Sequence, residues 1–457
     1  MMNKSLYLVM ILAGGLCACQ KKDLGSVAKP VNLTVAIEYN SEVSSIGLRK
    51  DSSLVRITNN TSGTTKEAYT NSNGVAAFES ITPGNYTITA SITIPKNTYQ
   101  QLSNTTVDQD VVFNGNLTNQ SLTEQQTNIN IPMVTGRIGN WVFKQIYYAG
   151  SNISSGAVFR DQFFELYNNS TDTLYADSLC FAQLIGVNNT NANYPAHGFL
   201  PSNQYDWTQA IGMNDANANT GYVYARAVFM IPGSGKQVPV LPGKSIVIAQ
   251  TAQNHTAPYI LNDGTTQGIT NPALTVDLSG ADFEAYLVEY KKAEAGNSTT
   301  FKPYKWDIDN PGVKNLTVYY TTVNDMILEN TGREALIIYK TGGANPKTIF
   351  PFFADPTVTV VSSTSTLYQQ IPVKNIIDAV ELQKVTESAR VPKRLPNSLD
   401  AGPANVTGGE YTSQSLIRKT VRTVNGRRIL QDTNNSASDF ATKAKADPSK
   451  TDASFSY

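Results

Sequence analysis

Residues 141–184 read WVFKQIYYAGSNISSGAVFRDQFFELYNNSTDTLYADSLCFAQL, and this stretch decides the fold class. Apart from Lys144 and Gln145, its first eight residues are aromatic or aliphatic, the side chains that fit a pleated surface. Ala149-Gly150 breaks that run. A second strand over residues 162–167 is closed by Asn168-Asn169-Ser170, residues that hydrogen-bond their own backbone and favour turns. Alternation predicts Phe164, Leu166 and Asn168 on one face and Phe163, Glu165 and Tyr167 on the other. A third strand-like run carries Cys180, expected as a small buried hydrophobe. Glu165 is the one carboxylate among these rings. No partner base or second ligand is near it in the sequence, so it is expected to accept backbone N–H bonds from a neighbouring loop.

The same grammar recurs downstream. Leu241-Pro-Gly243 is a turn before the strand-like Ser245-Ile-Val-Ile-Ala249, and further strands are read at 335–339, 375–381 and 415–418. Upstream, Val31, Leu33, Val35 and Ile37 alternate with polar residues, and residues 86–94 alternate over nine positions, as a half-buried antiparallel strand does. Pro83-Gly84 fits a type II turn between such strands. The predicted fold is therefore all-β, with a smaller sandwich over residues 31–135 and a larger one over 138–440. Residues 441–457 are polar and small, and are expected to be a disordered tail.

Composition narrows the function. Lysine plus arginine equals aspartate plus glutamate at 36 each, so no net field draws in nucleic acid. Charged residues are 16% of the chain, below the usual quarter or so; Asn, Thr, Ser and Tyr carry the polarity instead. Of the three cysteines, Cys17 and Cys19 sit in the leader, leaving Cys180 with no disulfide partner. The two histidines, His197 and His255, give zinc chemistry almost no raw material. No Ser/His/Asp or Cys/His arrangement and no paired carboxylates in a catalytic context are visible, so the chain is expected to be neither an enzyme nor the holder of a metal or other cofactor.

Residues 1–18 have a signal-peptide layout, with Lys4 before an apolar run too short to span a bilayer. That run ends in Leu16-Cys17-Ala18-Cys19, which resembles a bacterial lipobox. The resemblance implies cleavage before Cys19 and lipidation of Cys19, with outer-membrane lipid as the partner of the anchor. Gln20-Lys21-Lys22-Asp23 and a linker to Pro30 follow. They resemble the charged segment that sends Bacteroidetes lipoproteins to the cell surface, which implies a surface-exposed place on the outer membrane.

Two further resemblances concern fold. NGVAAFESITPGNYTI, residues 73–88, is similar to the carboxypeptidase-regulatory or transthyretin-like sandwich family, which implies a spacer without catalysis. The second module, in the order given, resembles the lamin-tail domain, an immunoglobulin-like sandwich. It departs from that pattern at Gln145, where the family favours Glu, and at Gly332-Arg333, where it favours Gly-Asp. Insertions near 187–236 and 250–325 double the family's length. The whole combination resembles an uncharacterised Bacteroidetes surface lipoprotein family found near SusC/SusD-type importers. That implies a TonB-dependent barrel and a SusD-like lipoprotein as partners, with a peptide or oligosaccharide as ligand. The rival is a structural or adhesive surface protein.

Loops on a rigid sandwich commonly carry function, and residues 194–229 gather aromatic side chains among Asn, Gly and Pro. Tyr194, Phe199, Tyr205, Trp207, Tyr222 and Tyr224 are the candidate ligand contacts, since rings beside amides suit sugar faces or peptide side chains. The alternative is that these rings tie a long loop to the sandwich. Other motifs are weaker. Gly233-Ser-Gly-Lys236 lacks the spacing of a phosphate loop. Asp307, Asp309 and Asn310, and likewise Asp432, Asn434 and Asp439, hold calcium-type ligands without the twelve-residue pattern; Asx-turns are the alternative. Asp172-Thr-Leu174 and Asp177-Ser-Leu179 resemble a Bacteroidetes O-glycosylation tripeptide, with turn chemistry as the alternative. Basic residues recur over 384–428, including Lys393, Arg394, Arg418, Arg427 and Arg428, and are expected on a solvated face.

Overall fold

The computed structural model describes residues 29–39, 43–103, 110–124, 127–135, 141–170, 172–190, 194–424 and 426–456. The leader, Cys17, Cys19 and the QKKD segment lie outside the described residues. Strands dominate and helices are short, so the chain is all-β.

The N-terminal module places seven strands in one hydrogen-bonded path. Val31–Tyr39 runs antiparallel to Val75–Ile81 on one side and parallel to Asn128–Thr135 on the other. Its alternation is realised: Leu33, Val35 and Ile37 are buried, while Thr34, Ala36 and Glu38 are not. The two end strands of the path, Thr65–Tyr69 and Val75–Ile81, curl together, and Lys66 Nζ donates to the Glu79 carbonyl at 2.8 Å. The enclosed core includes Val35, Ile57, Ile88, Phe113 and Ile131. A helix over Lys96–Ser103 lays Tyr99 against Phe113, ring centroids 6.2 Å apart.

The second module is two seven-stranded sheets face to face. The first runs Lys314–Asn315, Phe283–Glu284, Ser245–Ala249, Phe163–Asn168, Trp141–Tyr147, Ser415–Arg418, Phe440–Lys443. The second runs Phe352–Phe353, Tyr368–Pro372, Tyr222–Met230, Leu179–Leu184, Glu334–Lys340, Ile376–Leu382, with Thr317–Thr321 also paired to Tyr222–Met230. Phe143, Phe164, Phe181, Phe229, Ile248 and Leu336 fill the space between them. Phe164 stacks on Phe181 at 4.3 Å, and each ring buried there contributes about 1.5–3 kcal/mol.

Both sheets are covered on their outer faces as well. Cys180, Val228, Ile337 and Tyr339 form one outer cluster, and Tyr147, Phe163 and Val247 another. Trp141–Tyr147 and Phe163–Asn168 are buried at every position, which explains why their sequences run apolar rather than alternating. Gly150, at φ 72°, closes the first of these strands; a Cβ there would meet the Val158 carbonyl oxygen at 2.3 Å.

The expectation of a disordered tail is overturned. Phe440–Lys443 is an edge strand paired with Ser415–Arg418, and residues 444–456 then strap the outer face of that sheet. Gln145 holds the strap at Asp447, donating to its carbonyl at 2.7 Å and accepting from its N–H at 2.9 Å. Phe455 lies edge-on to Tyr167. Backbone and side chains share the work, with Lys450 Nζ donating to Asp282 at 2.8 Å and Ser456 Oγ to the Arg418 carbonyl at 3.2 Å.

Candidate functional site

The loop after Leu179–Leu184 leaves the sheet at Ile185 and returns at Tyr222. Asp206 organises it by capping the short helix Trp207–Gln209. It accepts from Asn219 Nδ2 and Gln209 Nε2, both at 2.7 Å, and from the Thr208 N–H. Burial pushes the Asp206 carboxyl up, but hydrogen bonds from Thr208, Asn219 and Gln209 outweigh it and hold it below the usual range.

Five of the six candidate aromatic residues form one row of ring contacts. Trp207 and Tyr224 are buried and stack face to face, centroids 3.5 Å apart and 8° from parallel. Tyr205 meets Trp207 edge-on at 5.9 Å, Phe199 stacks on Tyr205 at 5.7 Å, and Tyr194 leans on Phe199 at 4.4 Å. The row runs from the core to the half-buried Phe199 and Tyr194. Tyr222 stands apart from it, donating its hydroxyl to Asp215 at 2.8 Å. Ring faces along the row are spent on one another, so outside molecules meet edges, plus the outer side of Tyr194.

Beside this loop, the two modules meet around a cleft of about 400 Å³. Asn60 and Thr87 line it from the first module; Thr190, Ser202, Asn203 and Arg390 line it from the second. Amides and hydroxyls make up about half of the lining, and Glu387, Arg390 and Lys393 add charge of both signs. A larger, open cleft of about 1120 Å³ lies between residues 275–281 and the C-terminal strap, floored by Val247, Ile417 and Phe455.

Several ionisable groups of the second module are internal fasteners. Arg418, expected on a basic strip, is instead 1% exposed. It donates to Asp378 at 2.6 Å and Asp432 at 3.2 Å, with Asp439 at 3.5 Å. Asp432 and Asp439 are thus spent on a guanidinium rather than poised as calcium ligands. Arg394 likewise faces Glu381 at 3.6 Å with both side chains buried, and Lys393 donates to the Asp400 carbonyl and to Asn397. The side chain of Arg422 lies outside the described residues. Asp307 accepts the Leu287 N–H at 2.9 Å, and burial pushes its carboxyl up to about 8. Asp177 accepts from the backbone of Gly235, Gln237 and Val238, which is turn chemistry.

Glu165 differs from its expected role. It is fully buried and bonds Lys144 Nζ at 2.8 Å and the Ser245 hydroxyl, with no loop N–H donating to it among the described residues. Sequence reasoning passed over Lys144. The available signal was a lysine inside an aromatic strand one neighbour away from the strand that carries a lone glutamate.

No helix among the described residues is long and apolar enough to cross a membrane. No curated protein matches the chain. Among solved structures, a DUF4876 family protein from Bacteroides thetaiotaomicron is similar at 25% identity and TM-score 0.50, over 90% of this chain and 95% of that one. A candidate adhesin from Bacteroides ovatus aligns over 80% of this chain and 90% of its own, at 9% identity and a TM-score of 0.18. Residues 241–447, which begin inside the second module and run into its C-terminal strap, are similar to the family described as "Protein of unknown function (DUF4876)".

Proposed function

We propose that the chain is a non-enzymatic lipoprotein of the bacterial outer surface, anchored through Cys19, that serves as an accessory binding subunit of a SusC/SusD-type TonB-dependent importer. Its first module is the spacer that the transthyretin-like resemblance implies. Its second is the interaction module that the lamin-tail-like resemblance implies. The observation that carries the binding role is the amide- and hydroxyl-lined cleft at the module junction, beside the aromatic loop. Clefts between domains are common ligand sites, and amides and hydroxyls beside charges of both signs can hydrogen-bond a peptide or an oligosaccharide.

Two measurements test this reading. Tagged protein from mild-detergent extracts should co-purify with a TonB-dependent barrel and a SusD-like lipoprotein; recovery of the chain alone removes the importer role. Tyr205→Ala should weaken capture of the transported ligand by about 1–3 kcal/mol if Tyr205 is a contact. Trp207 and Tyr224 are unsuitable for that test because they are buried. The stacking of the rings on one another favours a second reading, a structural or adhesive surface protein in which the row only secures the loop. Under it, Tyr205→Ala leaves ligand capture unchanged while lowering thermal stability.

A further inference from the structure

Six ion pairs of the second module have both side chains almost fully buried, and three arginines and one lysine supply their cations. Arg160, Arg394 and Arg418 carry guanidinium groups, which stay charged under any physiological condition. Lys144 carries a primary amine, a nucleophile once it loses its proton. The other lysine ion pairs among the described residues, Lys291–Glu294, Lys305–Asp263 and Lys450–Asp282, are each at least partly open to solvent. Lys144–Glu165 is therefore chemically unlike every other pair in the molecule that the structure describes.

We propose that Lys144 and Glu165 condense into an intramolecular amide, a covalent staple between the strands Trp141–Tyr147 and Phe163–Asn168. The two residues lie on neighbouring antiparallel strands, and Lys144 occupies an irregularity in their register that turns it toward Glu165. Both side chains have no exposed surface, and Nζ lies 2.8 Å from Oε1. The C-terminal strap seals the pair. Ser454 Oγ accepts from Nζ at 2.7 Å, and the Phe455 ring centroid lies 3.8 Å from Nζ.

The chemistry balances without an outside reagent. Proton transfer from the ammonium to the carboxylate gives an amine beside a carboxylic acid, the uncharged arrangement that a dry site favours. Burial pushes the Lys144 amine below its ordinary range against the opposing pull of Glu165. The Ser245 hydroxyl donates to Oε1, and Gln145 Nε2 lies 3.5 Å from Oε2; these donors stabilise charge developing on the attacked carboxyl. The Nζ–Cδ bond forms and a Cδ–O bond breaks. The departing oxygen leaves as one water, carrying the acid proton and one amine proton. Fixing the two groups in contact supplies an effective concentration of about 10⁵–10⁸ M, and exclusion of solvent opposes hydrolysis. A chain with one body cysteine has no disulfide with which to staple this sheet.

Peptide mapping of the denatured full-length protein by mass spectrometry tests the proposal. The expected result is a branched peptide joining the Lys144 and Glu165 segments, lighter than their sum by one water. Lys144→Arg keeps the positive charge and should yield the two peptides unlinked. Recovery of the wild-type peptides unlinked at their summed mass overturns the proposal, whether or not any variant folds. So does a water loss that persists in Lys144→Arg.

Discussion

The two modules solve the same burial problem differently. In the first, strands such as Val31–Tyr39 alternate, and one sheet curled around one core leaves its polar face to water. Its ion pair Arg56–Glu67 sits at the surface, with about half of each side chain exposed. In the second, strands are buried on both faces because loops and the strap cover the outside of each sheet. Covering loops bring backbone and charge inside, so this module has internal ion pairs as well as surface ones. A layered module needs polar fasteners where a single curled sheet needs only alternation.

Arg418→Ala is the sharpest way to break the second module. It leaves Asp378, Asp432 and Asp439 buried around an empty place, and the loss should be about 3–5 kcal/mol. All three tryptophans, Trp141, Trp207 and Trp306, lie in this module, so urea unfolding followed by tryptophan fluorescence reports it alone. A loss under 1 kcal/mol would show that the fastener is dispensable.

The matching change in the first module is Ile88→Ala, at a position with no exposed surface. It should cost about 2–5 kcal/mol, visible by circular dichroism while the tryptophan transition stays in place. Movement of both transitions together would show that the modules unfold as one.

Proton linkage offers a smaller contrast. Burial pushes Asp307 up to about 8 and Asp161 and Glu284 up to about 7. A raised carboxyl contributes stability that is present at acid pH and lost as pH rises through its folded value. Buried His255 is pushed down to about 4, and its contribution is present above 6.5 and lost as pH falls from there. Between pH 6.5 and 8 only the carboxyl contribution changes among these groups, so the tryptophan-reported midpoint should be higher at pH 6.5 than at pH 8. A lower midpoint at pH 6.5 contradicts the assignment. Smallest of all, Glu67→Gln at the surface of the first module should shift stability by at most about 0.2–1 kcal/mol, measurable by the same dichroism transition.

What the sequence revealed follows the same division. Strand positions in both modules were legible because β-branched and aromatic runs between Asn/Gly turns are local signals, as at Ser245–Ala249 and Ser415–Arg418. The aromatic loop was legible as a cluster, though not which rings face inward, since the Trp207–Tyr224 stack depends on the strand that returns after the loop. The interior charges were not legible. Arg418 finds Asp378 forty residues away and donates to the Phe143 carbonyl 275 residues away, distances at which neither composition nor periodicity carries information. The tail was misread for the same reason: its partners are Gln145 and Lys144.

That closure has a consequence for how the chain matures. The strand Trp141–Tyr147 obtains its neighbour Ser415–Arg418, and its covering strap, only after some 270 to 310 further residues have emerged. During synthesis, this half of the second module waits with a wet edge and an open face, a state prone to wrong pairing. The first module, whose strands all lie within residues 31–135, can finish on its own schedule. Assembly is therefore expected in two steps, a prompt one and a delayed one, and a chaperone that shields unpaired strands should matter to the delayed step alone.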